Sequence, residues 1–206
     1  MRVLLAVLIL MVSFGATVPA KSPFDSVRGL QRPITNPWTE EIEITTVCTV
    51  WSTTTGSANR VWVTAAHCVY DHETGKMSTD LTVDNVKVST VYVNIETDVA
   101  ILRGGPSAKP FQLSQGEPDR LSPLWSSGYP HGANDQHTVT GTYGGTEDGL
   151  ALYSLPVMGG MSGAPVVELK SGMVVGMITQ RECPVAWCPV ARGVFASQLR
   201  NVIERY

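Results

Sequence analysis

One serine, one histidine and one aspartate in this chain have neighbours that suit acyl-transfer chemistry. Ser162 lies among glycines at residues 159, 160 and 163, which let the backbone turn tightly and approach a substrate closely. His67 follows a β-branched run and two alanines, and Asp98 precedes the apolar residues 99–102. Nucleophilic catalysis by serine needs a hydroxyl, a base that takes its proton and an acid that orients the base. The chain therefore offers a candidate for each part.

Each of these residues also has a plain structural interpretation. A glycine-flanked serine is common in ordinary turns, and a histidine in a core is more often structural than catalytic. Asp98 could be an exposed aspartate at the start of a strand, although a buried carboxylate would need a partner such as His67. Asp71, Asp80 and Asp84 are rival acids in polar, loop-like segments. Taken singly, the three positions leave catalysis open.

The segments that must position these residues have the pattern of short β-strands. β-branched and alternating runs occur at residues 42–47, 60–64, 86–93, 137–143, 164–168 and 173–179, with glycine, proline, asparagine and aspartate between them. This pattern predicts an all-β sandwich or barrel. Glycine, proline and polar residues at 104–119 indicate a linker between two halves.

The two ends of the chain differ from this pattern. Leu199, Val202, Ile203 and Tyr206 have the spacing of one helix face, so a C-terminal helix is expected. Residues 21–40 contain three prolines and no clear periodicity, and we expect a propeptide or an N-terminal arm there. Residues 1–20 combine an early arginine and a twelve-residue apolar run at 3–14 with small residues that suit a cut after Ala20 or, as a second option, after Ala16. This is the pattern of a signal peptide, with an uncleaved anchor as the alternative.

Composition excludes several functional classes. With 43% hydrophobic and 16% charged residues, the chain is expected to fold and bury a core. The formal charge of −3 gives no electrostatic case for nucleic-acid binding. Outside the first segment no apolar run is long enough to span a membrane, so no membrane association is expected after signal cleavage.

Four cysteines, in an exported chain, favour two disulfides. Cys48, Cys68, Cys183 and Cys188 allow three pairings. A zinc site is the alternative, but the spacing lacks two C-x-x-C pairs, so no metal is expected.

Three motifs together resemble those of trypsin-like serine peptidases. They are Thr-Ala-Ala-His-Cys at residues 64–68, Asp-Val-Ala-Ile-Leu at 98–102 and Gly-Met-Ser-Gly-Ala-Pro-Val at 160–166. The order His, Asp, Ser along the chain is that of chymotrypsin and differs from that of α/β-hydrolases. Gly-Tyr-Pro at residues 128–130 and Tyr153 are similar to the bacterial glutamyl endopeptidase branch.

The resemblance implies a role for each residue. Ser162 would be the nucleophile, His67 the general base and then acid, and Asp98 the residue that orients His67. The N–H groups of Gly160 and Ser162 would form the oxyanion hole. Cys48 and Cys68 match the family's disulfide beside the histidine. We predict a second disulfide between Cys183 and Cys188, which would close a very short loop.

The sequence departs from the family at the positions that set activation and specificity. Met161 stands where digestive members have the aspartate that binds the new N-terminus, so that mode of activation is not expected. Aligned on the family, the primary pocket would be formed by Pro156, Ile178, Thr179 and Gly193. The pocket base at Pro156 and the far wall at Gly193 are uncharged, so Arg or Lys is not expected before the cut.

Glutamate specificity is not expected either. Ile178 replaces the histidine that glutamyl endopeptidases carry two residues past the glycine matching Gly176. Arg181 lies nearby in the sequence, where it could pair with an acid or be a solvated surface residue.

These inferences combine into one expected architecture and function. We expect two packed antiparallel six-stranded β-barrels, about 41–105 and about 118–194, with a helix at about 195–206, as the resemblance implies. The function expected is that of a secreted or periplasmic serine endopeptidase that acts on protein or peptide substrates as a monomer without a cofactor. A catalytically inactive binding module on the same fold and, less favoured, a serine esterase are the alternatives.

Overall fold

The computed structural model of the chain describes residues 23–131, 133–181 and 187–206. The expected signal peptide lies outside these residues. The fold is two closed, six-stranded antiparallel barrels followed by one helix near the C-terminus, which confirms the predicted fold class. Among the described residues, no helix is long and apolar enough to cross a membrane.

The first barrel uses the chain up to residue 104. Its strands pair in the order β1-β2-β3-β8-β7-β6, and β4 and β5 form a separate two-stranded hairpin. In chain order the strands are β1 (Val27–Thr35), β2 (Ile42–Thr54), β3 (Arg60–Thr64), β4 (Tyr70–Asp71), β5 (Lys76–Met77), β6 (Thr82–Val83), β7 (Val86–Asn94) and β8 (Val99–Gly104).

Strand β1 corrects the expectation for residues 21–40. It pairs with β2 along its whole length and with β6 at Leu30 and Gln31, so it is a wall of the first barrel and not an arm outside it. Val27 and Leu30 are fully buried in the core. The barrel therefore begins before residue 41, and removal of residues 21–40 as a propeptide would open it. The missing periodicity has a physical cause, since a bulge between Leu30 and Gln31 shifts the strand register.

The second barrel uses residues 123–195. Its strands pair in the order β10-β11-β16-β14-β13-β9, and β12 pairs with β15 alone. In chain order the remaining elements are β9 (Pro123–Gly128), β10 (His137–Glu147), β11 (Leu150–Ser154), β12 (Val157–Met158), β13 (Pro165–Glu168), β14 (Val174–Arg181), β15 (Trp187–Cys188), β16 (Ala191–Phe195) and α1 (Ala196–Ile203).

An aromatic cluster joins the two barrels. Phe111, from the segment between the barrels, lies with its ring centroid 6.3 Å from that of Trp51 and 6.1 Å from that of Trp125. Leu199 and Ile203 of α1 complete the same buried cluster. Aromatic packing of this kind is rigid because interiors are close-packed. The cluster thus fixes the position of one barrel relative to the other, and with it the side chains that each barrel places where the two meet.

Candidate active site

His67 and Asp98 are brought together by the pairing of β3 with β8. Thr64 of β3 faces Ala100 of β8, so the residues just after one strand and just before the other are neighbours. His67 lies in a 3₁₀ turn at Ala66–Cys68, and its Nδ1 is 2.8 Å from Oδ2 of Asp98. The backbone N–H of His67 donates to Oδ1 of the same carboxylate at 2.9 Å. Both carboxylate oxygens of Asp98 therefore bind His67 and fix its orientation.

The backbone of Asp98 has the left-handed conformation, with φ of 52°. Asparagine and aspartate adopt this region more readily than most residues. The conformation also lets the Asp98 carbonyl accept the N–H of Ala66 at 3.1 Å. The carboxylate is thus anchored from side chain and main chain together.

This arrangement fixes the chemistry available to the imidazole. A neutral ring that donates from Nδ1 to a carboxylate keeps its lone pair on Nε2. The Asp98 side chain is 17% exposed and the His67 side chain 37% exposed, so the carboxylate is shielded while the ring borders solvent. His67 can therefore accept a proton at Nε2, and Asp98 stabilises the resulting cation.

Ser162 lies in the loop between β12 and β13, and this loop requires glycine at two positions. Gly160 and Gly163 have φ of 91° and 86°. A Cβ on Gly160 would lie 2.4 Å from the His131 nitrogen, and one on Gly163 would lie 2.2 Å from the Thr49 carbonyl oxygen. Only glycine fits these close approaches, which place the serine at the junction of the two barrels.

The orientation of the peptide between Gly159 and Gly160 is set by a hydrogen bond to its carbonyl oxygen. The N–H of His131 donates to the Gly159 carbonyl oxygen at 2.8 Å, which holds that oxygen toward the His131 backbone. In a trans peptide the C=O and N–H bonds point in opposite directions, so the Gly160 N–H points away from His131. A backbone N–H group held in a fixed orientation beside the serine is the kind of donor that can bind a developing oxyanion.

Thr49 of β2 ties this loop to the first barrel. Its hydroxyl donates to the Gly160 carbonyl at 3.0 Å and accepts the Tyr129 N–H at 2.9 Å. Its N–H donates to the Ser162 carbonyl at 2.9 Å, and its carbonyl accepts the Thr64 hydroxyl at 2.8 Å. Thr49 is fully buried. One residue of the first barrel thus holds the backbone of the serine loop at two points.

Two pockets meet at Ser162. The pocket along β14, here called the strand pocket, has a volume of about 340 Å³ and is lined by Val157, Met158, Gly159, Ser162, Ile178, Thr179 and Gln180. The pocket on the other side, here called the arginine pocket, has a volume of about 150 Å³ and is lined by Arg32, Val47, Cys48, His67, Cys68, His131, Gly160 and Ser162. Ser162 is the residue they share.

The strand pocket contains two of the four residues expected from the sequence. Ile178 and Thr179 line it, whereas Pro156 and Gly193 are not among its described lining residues. Gly193 pairs with both Ala151 and Ile178, and a Cβ there would lie 2.0 Å from the Met177 carbonyl oxygen, so only glycine fits at this position of β16. Its place in the substrate pocket, like that of Pro156, stays a prediction. Val157 and Met158 of β12, the two residues that follow Pro156 in the chain, line the pocket as well.

Sequence reasoning missed Thr49, Arg32 and His131. Thr49 follows Cys48 directly, but nothing in its residue type indicates that it makes three hydrogen bonds across the barrel junction. Arg32 was hidden because its strand, β1, lacks a clear alternating pattern. His131 follows the Gly-Tyr-Pro segment at residues 128–130, which the resemblance had already drawn attention to.

The predicted Cys48–Cys68 disulfide is confirmed. The sulfurs are 2.00 Å apart and the Cα atoms 6.0 Å apart, on the floor of the arginine pocket. Because both sulfurs are bonded to each other, neither is a thiolate that could bind a metal ion beside His67. The predicted Cys183–Cys188 pair includes Cys183, which lies outside the described residues.

Comparisons with solved structures agree with this architecture. A protease of M. tuberculosis in its active form aligns with a TM-score of 0.65 and 18% identity, over 87% of this chain and 79% of its own. A serine-to-alanine mutant of that protein in its inactive form gives a TM-score of 0.62 and 18% identity, over 87% and 86%. The HtrA-type protease AlgW, solved with a decapeptide, gives 0.65 and 14%, over 88% and 65%. These likenesses show the fold.

The family is shown by sequence. No curated protein sequence matches the chain significantly. The model of the trypsin-like peptidase domain matches residues 46–177, which include the histidine, aspartate and serine of the candidate site. The chain belongs to the trypsin-like peptidase family.

Proposed function

We propose that this protein is a serine endopeptidase in which Ser162 is the nucleophile, His67 the general base and Asp98 the residue that orients it. The observation that carries the proposal is the Nδ1–Oδ2 contact of 2.8 Å, in a pocket that His67 shares with Ser162. A family member that had lost activity would be expected to lack one of these three residues. All three are present, in the family's order.

The proposed reaction has two halves. The Ser162 Oγ attacks the carbonyl carbon while its proton passes to Nε2 of His67, and the carbonyl oxygen becomes an oxyanion that the Gly160 and Ser162 N–H groups bind. Collapse breaks the C–N bond, and His67 gives its proton to the leaving amine. Water then attacks the acyl-enzyme with His67 again as base, which releases the acid and restores the serine.

The strand pocket is proposed to receive the side chain before the cut. The described residues that line it are uncharged, and burying an unpaired charge among them would be unfavourable. An uncharged side chain is therefore the proposed preference, and a peptide library randomised at that position measures it. A strong preference for Arg or Lys would contradict it, as would one for Glu, the choice of the glutamyl endopeptidases to which residues 128–130 and Tyr153 are similar.

Export and the second disulfide stay predictions. A secreted or periplasmic location agrees with the Cys48–Cys68 disulfide, because such bonds persist in oxidising compartments. Amino-terminal sequencing of the exported protein locates the expected cut after Ala20. Non-reducing peptide mapping shows whether Cys183 is joined to Cys188.

Fluorophosphonate labelling separates the proposal from its two alternatives. The wild-type protein should be labelled at Ser162 and should cleave casein, whereas Ser162→Ala should do neither, with turnover reduced by up to ~10⁶-fold. An inactive binding module would remain unlabelled in its folded wild-type form. A serine esterase would be labelled and hydrolyse esters but leave casein intact. Near wild-type casein cleavage by Ser162→Ala would refute the assignment of the nucleophile.

A further inference from the structure

The arginine pocket lies on the side of Ser162 from which a leaving group must depart. His67 lines this pocket and does not line the strand pocket. In serine peptidase chemistry the imidazole protonates the leaving amine, so that amine must be close to Nε2. The half of the substrate after the cut therefore runs along the arginine pocket, while the half before the cut occupies the strand pocket.

The charge in the arginine pocket is positive. Arg32, on β1, is exposed, and it forms no ion pair or side-chain hydrogen bond with the described residues. A guanidinium is always charged and matches the planar geometry of a carboxylate. His131, also exposed, lies in the same pocket and can donate a hydrogen bond from its ring.

Neither Asp71, which acts on Arg32 from a distance, nor Asp98, the partner of His67, forms an ion pair with Arg32. Asp98 is committed to His67 through both of its oxygens. Asp71 is engaged by the Thr74 hydroxyl and by the N–H groups of Thr74 and Glu73, which hold its pKa below the usual value, with Arg32 a lesser contributor. The charges of Arg32 and Asp71 therefore interact at a distance, and the guanidinium N–H groups of Arg32 stay available to bind a substrate.

We infer that Arg32 makes this enzyme selective for substrates with an acidic side chain in the first residues after the cut. The inference rests on the proposed endopeptidase function and adds a substrate class to it. An Asp or Glu side chain in the arginine pocket would accept hydrogen bonds from the guanidinium in a site partly shielded from water by the Cys48–Cys68 disulfide and Val47, both buried. Charge-assisted bonds of this kind are stronger than neutral ones.

Pairs of peptides that differ only in carrying Asp or Asn at one position test this selectivity. Each pair has the same half before the cut, chosen from the peptide library, and carries Asp or the nearly isosteric Asn at the first or second position after the cut. For wild type we expect kcat/KM for the better-placed Asp peptide to exceed that for its Asn partner by about fivefold, near the upper end for a partly exposed pair. The ratio should fall as salt is raised, because screening weakens exposed pairs.

Charge variants then assign the effect to Arg32. In Arg32→Gln the Asp/Asn ratio should fall to about one, and in Arg32→Glu it should fall below one, since like charges repel. Arg60→Gln is the matched control: it removes the same charge from the same barrel, at a side chain that contacts Ser107 instead of the pocket, and should keep the wild-type ratio. Because each ratio is taken within one variant, a general loss of activity cancels.

The outcomes distinguish this inference from the proposed function. A wild-type enzyme that cleaves both peptides of each pair at equal efficiency overturns the role of Arg32 and leaves the peptidase proposal standing. A wild-type ratio that survives in Arg32→Gln, or that Arg60→Gln abolishes equally, also overturns it. A folded wild-type protein that cleaves no peptide and is not labelled at Ser162 overturns both.

Discussion

Replacing Thr49 with valine tests whether a buried hydroxyl of the first barrel positions the oxyanion-binding backbone of the second. Valine has nearly the same shape but can neither donate to the Gly160 carbonyl nor accept the Tyr129 N–H, which Thr49 contacts at 3.0 and 2.9 Å. Each buried backbone group left without a partner costs about 1–3 kcal/mol. Because the Tyr129 N–H is only half-buried and can regain some contact with water, the free energy of unfolding should fall by about 2–4 kcal/mol in total. A typical domain has about 5–15 kcal/mol, so the variant should still fold.

Thr49→Val should also lower kcat, which a loss of stability alone would not do while the enzyme stays folded. Gly160 carries one of the two proposed oxyanion donors, and loss of one well-aimed donor lowers kcat by about 10²–10³-fold. A loop that is freed but still near its position should lose part of that, so we expect kcat to fall by about 10–100-fold with a smaller change in KM. Affinity for a boronic acid that forms a tetrahedral adduct with Ser162 should fall in parallel.

Two further variants make this result interpretable. Thr49→Ser keeps the hydroxyl and should restore most of kcat. Thr53→Val is the matched control, because Thr53 is also buried on β2 and donates to the Phe111 carbonyl at 2.9 Å, away from the serine loop. It should lower the unfolding free energy by about 1–3 kcal/mol while kcat stays at the wild-type value. If Thr49→Val lost stability as expected but kept wild-type kcat, or if Thr53→Val lowered kcat equally, the positioning role would be wrong.

Three other variants have expected outcomes that follow from the site. Asp98→Asn should fold but lose up to about 10⁴-fold in kcat/KM because the imidazole is held in the wrong tautomer, and a retained wild-type rate would contradict the orienting role. Gly160→Ala should abolish labelling by an active-site titrant, since its Cβ would lie 2.4 Å from the His131 nitrogen; a fully titratable variant would show that the loop tolerates a side chain. Replacing both Cys48 and Cys68 with serine opens a loop with a sequence separation of 20, and urea unfolding should show a loss of about 3 kcal/mol, whereas an unchanged midpoint would refute that estimate.

The sequence predicted those parts of the molecule that short-range patterns encode. The β-branched runs at residues 60–64 and 173–179 correspond to β3 and β14, and the spacing of Leu199 and Ile203 predicted a helix that the structure has at Ala196–Ile203. The Asp98 side chain is well shielded, as expected for a carboxylate beside an apolar strand with a histidine as its partner. These features depend on residue type and on neighbours close in the chain.

The parts that were missed depend on long-range pairing. Strand β1 contains a bulge and a proline, so no alternation marks it, and only its pairing with β2 and β6 makes it a barrel wall. Arg32 reaches the pocket through that pairing. Register across a sheet is not encoded by any one segment alone.

The absence of an acid at residue 161 is explained by how the serine loop is held. Met161 is fully buried in the apolar core of the second barrel, with Leu155, Val157 and Ala164 in the same cluster. An aspartate at this position would need a buried positive partner, and the cost of burying it alone would be several kcal/mol. Here the serine loop is ordered instead by van der Waals packing around Met161 and by the hydrogen bonds of Thr49. Because that support comes from within the barrels, we expect the arrangement of Ser162 and Gly160 to form without an ion pair made by a newly cut chain end.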